Sequence, residues 1–136
     1  MEKAYLTRFE LTHDIGPRQA GVEFFVKMDK GDFIGRNAID APTSGNAWKL
    51  VYLEVDAGDA DCIGGEGLFD TSGAAIGLTT SGGYGFTVDK SLAFGYVEES
   101  HARPGTEMTV LILGEQRRAT VLAEPAYDPK NAMLRA

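Results

Sequence analysis

Short apolar segments separated by turn-forming residues follow one another through the chain from Trp48 onward. Part of Trp48–Val55 alternates between apolar and polar residues, and residues 92–98 form another apolar segment. Apolar segments also flank Thr71-Ser72-Gly73 and Gly114-Glu115, and each pair predicts a β-hairpin. The glycine at the first position of the second loop favours a type II′ turn. Short strands at regular spacing predict a closed or nearly closed β barrel, and therefore a mainly β fold.

The first forty residues have a different pattern. Polar turn-like sequence precedes a short apolar segment at residues 20–26, and Asp32 is placed to cap a short helix over residues 34–39. Residues 42–46 have the composition of a linker. We therefore divide the chain into a first segment, residues 1–44, and a barrel domain, residues 45–136.

The composition is that of one small globular domain and argues against several functions. The 136 residues carry a net charge of −7 without a run of lysine or arginine, which argues against a nucleic-acid partner. No apolar stretch approaches the length of a membrane span, so no membrane partner is expected. The single cysteine, Cys62, cannot form an internal disulfide and indicates a reducing compartment, for which we expect the cytoplasm. His13 and His101 lack ligand spacing, so no metal site is predicted.

A glycine-rich stretch at residues 80–85 is the strongest candidate for a binding element. Three glycines within four residues flank Tyr84, and Thr80 and Ser81 precede them. Such a stretch predicts a loop between two strands that presents Tyr84 and backbone N–H groups to a ligand or a facing domain. The hydroxyl groups of Thr80 and Ser81 are expected to satisfy loop amides. The alternative interpretation is a tight turn with a packed tyrosine.

The order of sequence blocks along the chain resembles the C-terminal part of the glycine cleavage T-protein (aminomethyltransferase) family, which includes the folate-binding ends of dimethylglycine and sarcosine dehydrogenases. The blocks that carry this resemblance are residues 29–39, 49–53, 75–85, 90–97, 104–106 and 124–129. The resemblance implies that residues 45–136 are the family's C-terminal β-barrel domain. It also implies that residues 1–44 are a short α+β segment that closes a folate-binding domain, most of which this chain lacks.

The resemblance further implies a part in transferring an aminomethyl or methyl carbon to tetrahydrofolate. We expect the chain to lack catalytic residues of its own and not to bind tetrahydrofolate tightly alone. The implied partners are the missing N-terminal folate-binding domain or a split subunit, and a lipoyl carrier protein or a flavin domain. Two alternatives stay open: a degenerate, non-catalytic binding or interaction module, and the C-terminal part of a dimethylglycine or sarcosine dehydrogenase.

Four residues occupy positions at which the resemblance implies contact with the cofactor. Gln19 stands where the family has a pterin-binding glutamate, and Trp48 stands where it often has arginine. Tyr84 is expected to form a wall of the pocket, and Lys90 to reach an anionic group such as a folate glutamyl tail. The alternative for Lys90 is a surface lysine at a turn. Asp89 replaces a family glycine, and we expect it to form a solvated pair with Lys90.

Overall fold

The computed structural model describes residues 1–40 and 47–135 of the chain. Six strands in these residues form a closed antiparallel barrel in the order β1-β4-β3-β2-β5-β6. The strands are β1 (Trp48–Val55), β2 (Gly67–Phe69), β3 (Ala75–Gly85), β4 (Lys90–Glu98), β5 (Glu107–Ile112) and β6 (Glu115–Val121). A short helix, α1 (Arg36–Asp40), and two 3-10 turns, Glu23–Phe25 and Glu99–His101, complete the described elements. The prediction of a mainly β barrel is confirmed.

The barrel closes because alternate residues of its strands are apolar and face inward. Successive side chains of a strand point to opposite faces, so a period of two fills the interior with one half of each strand. The main buried cluster consists of Val51, Leu53, Val55, Ala57, Cys62, Leu68, Ile76, Ala93, Val97, Met108, Val110, Ile112, Ala119 and Val121. Closure pairs both edges of the sheet, which removes exposed strand edges.

The outer face of β1 and β4 carries a second apolar cluster, which is covered by both ends of the chain. Tyr52 and Phe94 lie with ring centroids 5.2 Å apart, and Leu92 lies beside them. Residues from both chain ends, together with Leu50 and Val88, pack against this cluster: Met1, Ala4, Leu6, Leu122 and Ala126. The first segment is therefore fixed against the outside of the barrel, over strands β1 and β4.

Residues 81–85 form a strand, so the prediction of a glycine-rich loop there is wrong. Strand β3 continues to Gly85, with an irregular register between Thr79 and Ser81, and the chain turns afterwards over residues 86–89. Gly82 serves close packing here. A Cβ added to Gly82 would lie 2.4 Å from the carbonyl oxygen of Cys62. The position is restricted to glycine by its neighbour and needs no positive φ.

Local details of the other predicted elements differ by one or two residues. The loop between β5 and β6 consists of Leu113 and Gly114, both with positive φ, so the turn is type I′ and the predicted type II′ turn at Gly114-Glu115 is wrong. Helix α1 begins at Arg36, because Gly35 has a φ of 91°. The carboxylate of Asp32 accepts from the neighbouring Phe33 N–H instead of capping the helix. The hairpin around residues 71–73 is present as predicted.

The predicted linker, residues 42–46, and the predicted boundary between residues 44 and 45 lie outside the residues that the structure describes. Among residues 1–40 and 47–135, no helix combines the length and apolar character needed to span a bilayer. Within the same part of the chain, no group of three or more His, Cys, Asp or Glu side chains is arranged to hold a metal ion.

Candidate functional site

The four predicted site residues lie in two separate pockets. Gln19 and Trp48 line a pocket of about 420 Å³ at the start of β1. Tyr84 and Lys90 line a pocket of about 640 Å³ at the end of the same strand. The six residue steps of β1 from Trp48 to Glu54 separate the two pockets by roughly 20 Å, at about 3.3 Å per residue. The predicted residues therefore lie in two pairs, one in each pocket, and the four do not form a single site.

The Gln19–Trp48 pocket lies where the first segment meets the barrel. The Leu50 N–H donates to the Gln19 carbonyl oxygen at 2.8 Å, which ties residue 19 to β1. The Gln19 side-chain oxygen accepts from the Gly16 N–H at 2.9 Å. Because a backbone N–H can only donate, its partner must be the amide oxygen, and the Gln19 NH₂ is left to donate elsewhere. Trp48 keeps 39 % of its surface exposed.

The Tyr84–Lys90 pocket is lined by internally paired charges. The Lys90 ammonium lies 2.6 Å from a Glu54 carboxylate oxygen on the adjacent strand, and the Tyr84 hydroxyl donates to Asp89. The predicted Asp89–Lys90 pair is therefore wrong, because each side chain has a different partner. The hydrogen bond to Asp89 raises the pKa of Tyr84. Asp89 also has a φ of 54°, a left-handed conformation that Asp tolerates better than most residues.

Tyr84 lies beside the first segment and is partly exposed. Its ring keeps 41 % of its surface accessible and meets Phe86 edge to face, with centroids 5.1 Å apart. It also lines a shallow pocket with Met1, Glu2, Lys3 and Tyr5. Tyr84 is thus a surface aromatic at the junction rather than a core residue.

We expect Tyr84→Ala to cost less than truncation of a fully buried aromatic residue does, about 1–2 kcal/mol, because Tyr84 keeps 41 % of its surface exposed in the folded chain. Tyr84→Phe is the matched control, since it removes only the hydroxyl that donates to Asp89. The measurement is the guanidinium unfolding midpoint at unchanged slope. A loss near the roughly 3 kcal/mol typical of buried aromatic residues would assign Tyr84 to the core.

Sequence reasoning missed a fully buried carboxylate at the junction. Glu10 is 0 % exposed, and one oxygen accepts from the hydroxyl groups of Thr80 at 2.8 Å and Ser81 at 2.5 Å. The other oxygen accepts from the Thr7 N–H at 2.7 Å and the Thr7 hydroxyl at 2.8 Å. Burial acts to raise the pKa of Glu10, but these hydrogen bonds outweigh it and leave the pKa below its usual value. The hydroxyls of Thr80 and Ser81 thus serve Glu10 and not loop amides.

The Cys62 thiol is expected to be unreactive in this fold. Its side chain is buried in the barrel cluster, and burial, with the nearby Glu66 and Asp61 carboxylates, raises the pKa of the thiol to about 12. A thiol with this pKa stays protonated at neutral pH and is a poor nucleophile.

The barrel and the junction are those of a known family. The family model described as the glycine cleavage T-protein C-terminal barrel domain matches residues 49–128, and the chain belongs to this family. The resemblance expected from the sequence is thereby confirmed, and the chain is the C-terminal barrel domain of aminomethyltransferase-like proteins, a domain also present in dimethylglycine dehydrogenase.

Individual relatives extend well beyond the region matched here. The chain is 38 % identical over 139 residues to mitochondrial dimethylglycine dehydrogenase of Mus musculus, covering 98 % of the chain and 16 % of the relative. It is 35 % identical over 120 residues to an aminomethyltransferase of Desulfitobacterium hafniense, covering 87 % of the chain and 32 % of the relative. The crystal structure of the glycine cleavage system aminomethyltransferase T from Bartonella henselae superposes with a TM-score of 0.83 at 27 % identity, covering 94 % of the chain and 37 % of that protein. The chain thus spans between about a sixth and about a third of the length of these relatives.

Proposed function

We propose that this chain acts as the C-terminal barrel region of a tetrahydrofolate-dependent aminomethyl or methyl transferase and does not catalyse the transfer alone. The observation that carries the proposal is the exposed apolar surface of the first segment. Phe24 and Phe25 keep 73 % and 77 % of their surfaces accessible, and Ile34 is fully exposed. Large exposed apolar groups mark interaction sites. Family membership identifies the class of enzyme that supplies the partner surface.

The partner in this proposal is the folate-binding region of the same enzyme, in one polypeptide or as a separate subunit. Tyr5, Phe9 and Leu11 are also exposed on the first segment. A lipoyl carrier protein or a flavin domain is a further proposed partner, since the relatives include an aminomethyltransferase and a dimethylglycine dehydrogenase. We also propose a cytoplasmic location for this protein.

Tetrahydrofolate, when bound, supplies the nitrogen that accepts the one-carbon unit. The Gln19–Trp48 pocket offers this ligand an exposed indole for stacking. Position 19 is a poorer match for the donor edge of a pterin than a glutamate, because an amide carries no charge and has a single acceptor atom, which also takes the Gly16 N–H. The role of this chain is therefore to form one wall of the ligand site and to present a partner surface. We assign no residue of this chain to the bond-forming step.

The proposal is tested by turnover with and without the partner region. We expect the chain alone to give no one-carbon-substituted tetrahydrofolate from any aminomethyl donor, because bringing the reactants together requires the partner. The same chain produced with the folate-binding region is expected to be active, and the folate-binding region alone is the matched control. Turnover by the isolated chain would contradict the proposal.

A non-catalytic interaction module is the second candidate, and the engaged acceptor of Gln19 favours it. The double substitution Gln19→Glu and Trp48→Arg, made in the longer protein, distinguishes the two. A large gain in tetrahydrofolate affinity is the result expected for a degenerate folate site. Unchanged affinity is expected if the pocket serves a different ligand or a different binding geometry.

A further inference from the structure

The pocket of about 640 Å³ at the end of β1 is lined by more acidic than basic residues. A pocket of this size accommodates a small organic molecule. Glu54 and Lys90 form an ion pair in it, with 2.6 Å between the carboxylate oxygen and the ammonium, and neutralise each other. The other charged residues of the lining are three acids and one base: Asp56, Asp61, Asp89 and Arg118. The pocket therefore favours a positively charged ligand over an anion.

A buried hydroxyl group of the same pocket lacks a hydrogen-bond partner. Ser91 is 7 % exposed and lines the pocket, and its Oγ bonds to no group in the part of the chain that the structure describes. The strand register places Ser91 opposite Val55 on β1 and opposite Tyr84 on β3, so the three side chains lie on one face of the sheet. A buried polar group without a partner costs free energy, so its presence requires an explanation. A ligand that donates to Ser91 supplies one.

An aromatic ring and two carboxylates accompany this hydroxyl group. The Tyr84 backbone pairs with Ser91, and the Tyr84 hydroxyl donates to the Asp89 carboxylate. That hydrogen bond raises the pKa of Tyr84, and burial and the charges of Asp89 and Asp61 act in the same direction, which indicates that Asp61 also lies near the ring. The face of an aromatic ring attracts a cation. The pocket thus offers a cation a ring, carboxylates and a hydroxyl acceptor.

The class of cation follows from these groups. A bare metal ion is disfavoured, because within residues 1–40 and 47–135 no three His, Cys, Asp or Glu side chains are arranged to hold one. An ammonium group instead carries several N–H donors, which bond to separate acceptors. Its hydrocarbon part matches the apolar residues of the lining, which include Val55, Ala57 and Leu122. An alkylammonium ion therefore fits this lining better than a metal ion does.

We propose that this pocket binds a small alkylammonium cation through Ser91, Tyr84 and Asp61. One ammonium N–H donates to the Ser91 Oγ, which turns into the pocket by rotation about the Cα–Cβ bond. The charge lies over the Tyr84 ring, and the Asp61 carboxylate is the second acceptor. Asp61 is favoured over Asp89 because Asp89 already accepts from the Tyr84 hydroxyl. The site does not depend on the proposed function, because it lies at the opposite end of β1 from the Gln19–Trp48 pocket and needs no partner region.

The test is an NMR titration of the full chain with n-butylammonium chloride, with sodium chloride at equal ionic strength as the blank. Millimolar concentrations are used, because they saturate weak sites. We expect saturable shifts of the backbone amide signals of residues 56–61 and 89–91. Tetramethylammonium carries the same charge without an N–H donor, so it is expected to bind about fivefold more weakly.

Two substitutions test the assigned contacts. Ser91→Ala is expected to weaken n-butylammonium binding about fivefold, because it removes one acceptor, and to leave the Tm of the free chain unchanged or raised, because it removes an unpartnered buried hydroxyl. Ser100→Ala, an exposed hydroxyl outside the pocket, is its control. Asp61→Asn is expected to weaken binding about threefold or more. Asp29→Asn, at an exposed aspartate, makes the same change of net charge and is the matched control.

Four results would overturn the inference. The first is the absence of saturable shifts in the wild type, and the second is equal affinity for n-butylammonium and tetramethylammonium. The third is equal affinity of either variant and its control. The fourth is a lower Tm for Ser91→Ala, which would show that the hydroxyl already makes a stabilising bond within the fold. None of these results affects the turnover test of the proposed function, since that test depends on the partner region and not on this pocket.

Discussion

Replacing Gly82 by alanine is expected to destabilise the barrel by about 3 kcal/mol or more, the upper range for forcing a group into a packed core. The added Cβ would lie 2.4 Å from the Cys62 carbonyl oxygen, 2.6 Å from the Cys62 Cβ and 2.9 Å from its carbonyl carbon. All three atoms belong to a buried residue of the loop between β1 and β2, and two of them are backbone. No side-chain rotation relieves the overlap, so either the loop or strand β3 must move.

Gly83→Ala is the matched control, because it adds the same methyl group one residue further along the same strand. The nearest atom to its added Cβ is the Met1 Cγ, at 3.8 Å, an ordinary contact. We expect this variant to be neutral or slightly stabilising, since alanine also reduces the conformational freedom of the unfolded chain.

Two measurements compare the Gly82 and Gly83 variants. Thermal unfolding is expected to show a Tm roughly 10 °C lower for Gly82→Ala than for Gly83→Ala. Displacement of the loop also exposes Cys62, the single cysteine, so Gly82→Ala is expected to react faster with a thiol reagent. Equal stability of the two variants, with Cys62 equally protected, would show that the loop does not restrict position 82.

The barrel was predictable because its signals are local. Strand β1 occupies Trp48–Val55, the bounds that its sequence pattern indicated, and the hairpin at residues 71–73 follows from short-range turn chemistry. The glycine stretch was misassigned because glycine serves both turns and close approaches. The atom that distinguishes the two at Gly82 belongs to Cys62, twenty residues earlier in the chain, and only the tertiary fold brings it near.

The candidate site was predictable only in part, for the same reason. The resemblance indicated Gln19 and Trp48, and the structure places them in one pocket. Glu99 lines the same pocket and was not indicated, because a glutamate after a strand has the appearance of an ordinary surface charge. Glu10 was missed because its hydroxyl partners, Thr80 and Ser81, lie about seventy residues away in the chain. A hydroxyl pair beside glycines was the only signal, and it was interpreted as local.

Glu10→Ala is expected to destabilise the chain by about 3 kcal/mol, because it leaves several buried donors without an acceptor. The carboxylate accepts from Thr80 and Ser81 on β3 and twice from Thr7, so its removal affects both sides of the junction. The Tyr96 hydroxyl also donates to the Glu10 carbonyl oxygen at 2.9 Å and holds the same segment. Loss of the carboxylate therefore loosens the attachment of the first segment to the barrel.

Glu10→Gln separates the charge from the hydrogen bonds. Its oxygen can serve the Thr7 N–H, and its NH₂ can donate to the hydroxyls of Thr80 and Ser81, which also accept. We expect a milder loss, about 1 kcal/mol, reflecting the weaker neutral hydrogen bonds. Glu124→Ala, at an exposed turn after the barrel, is the control and is expected to have little effect.

The pH dependence of stability gives an independent test of the same carboxylate. The pKa of Glu10 is lowered in the folded chain from its usual 4.5, so the folded state binds this proton less readily than the unfolded state does. The stability it contributes is fully present above pH 4.5 and is lost as the pH falls through the lower folded pKa. The difference in unfolding free energy between the wild type and Glu10→Gln is therefore expected to be constant from pH 7 to pH 5 and to shrink below pH 4.5. A difference that stays constant at acidic pH would show that the buried carboxylate is not charged in the folded chain.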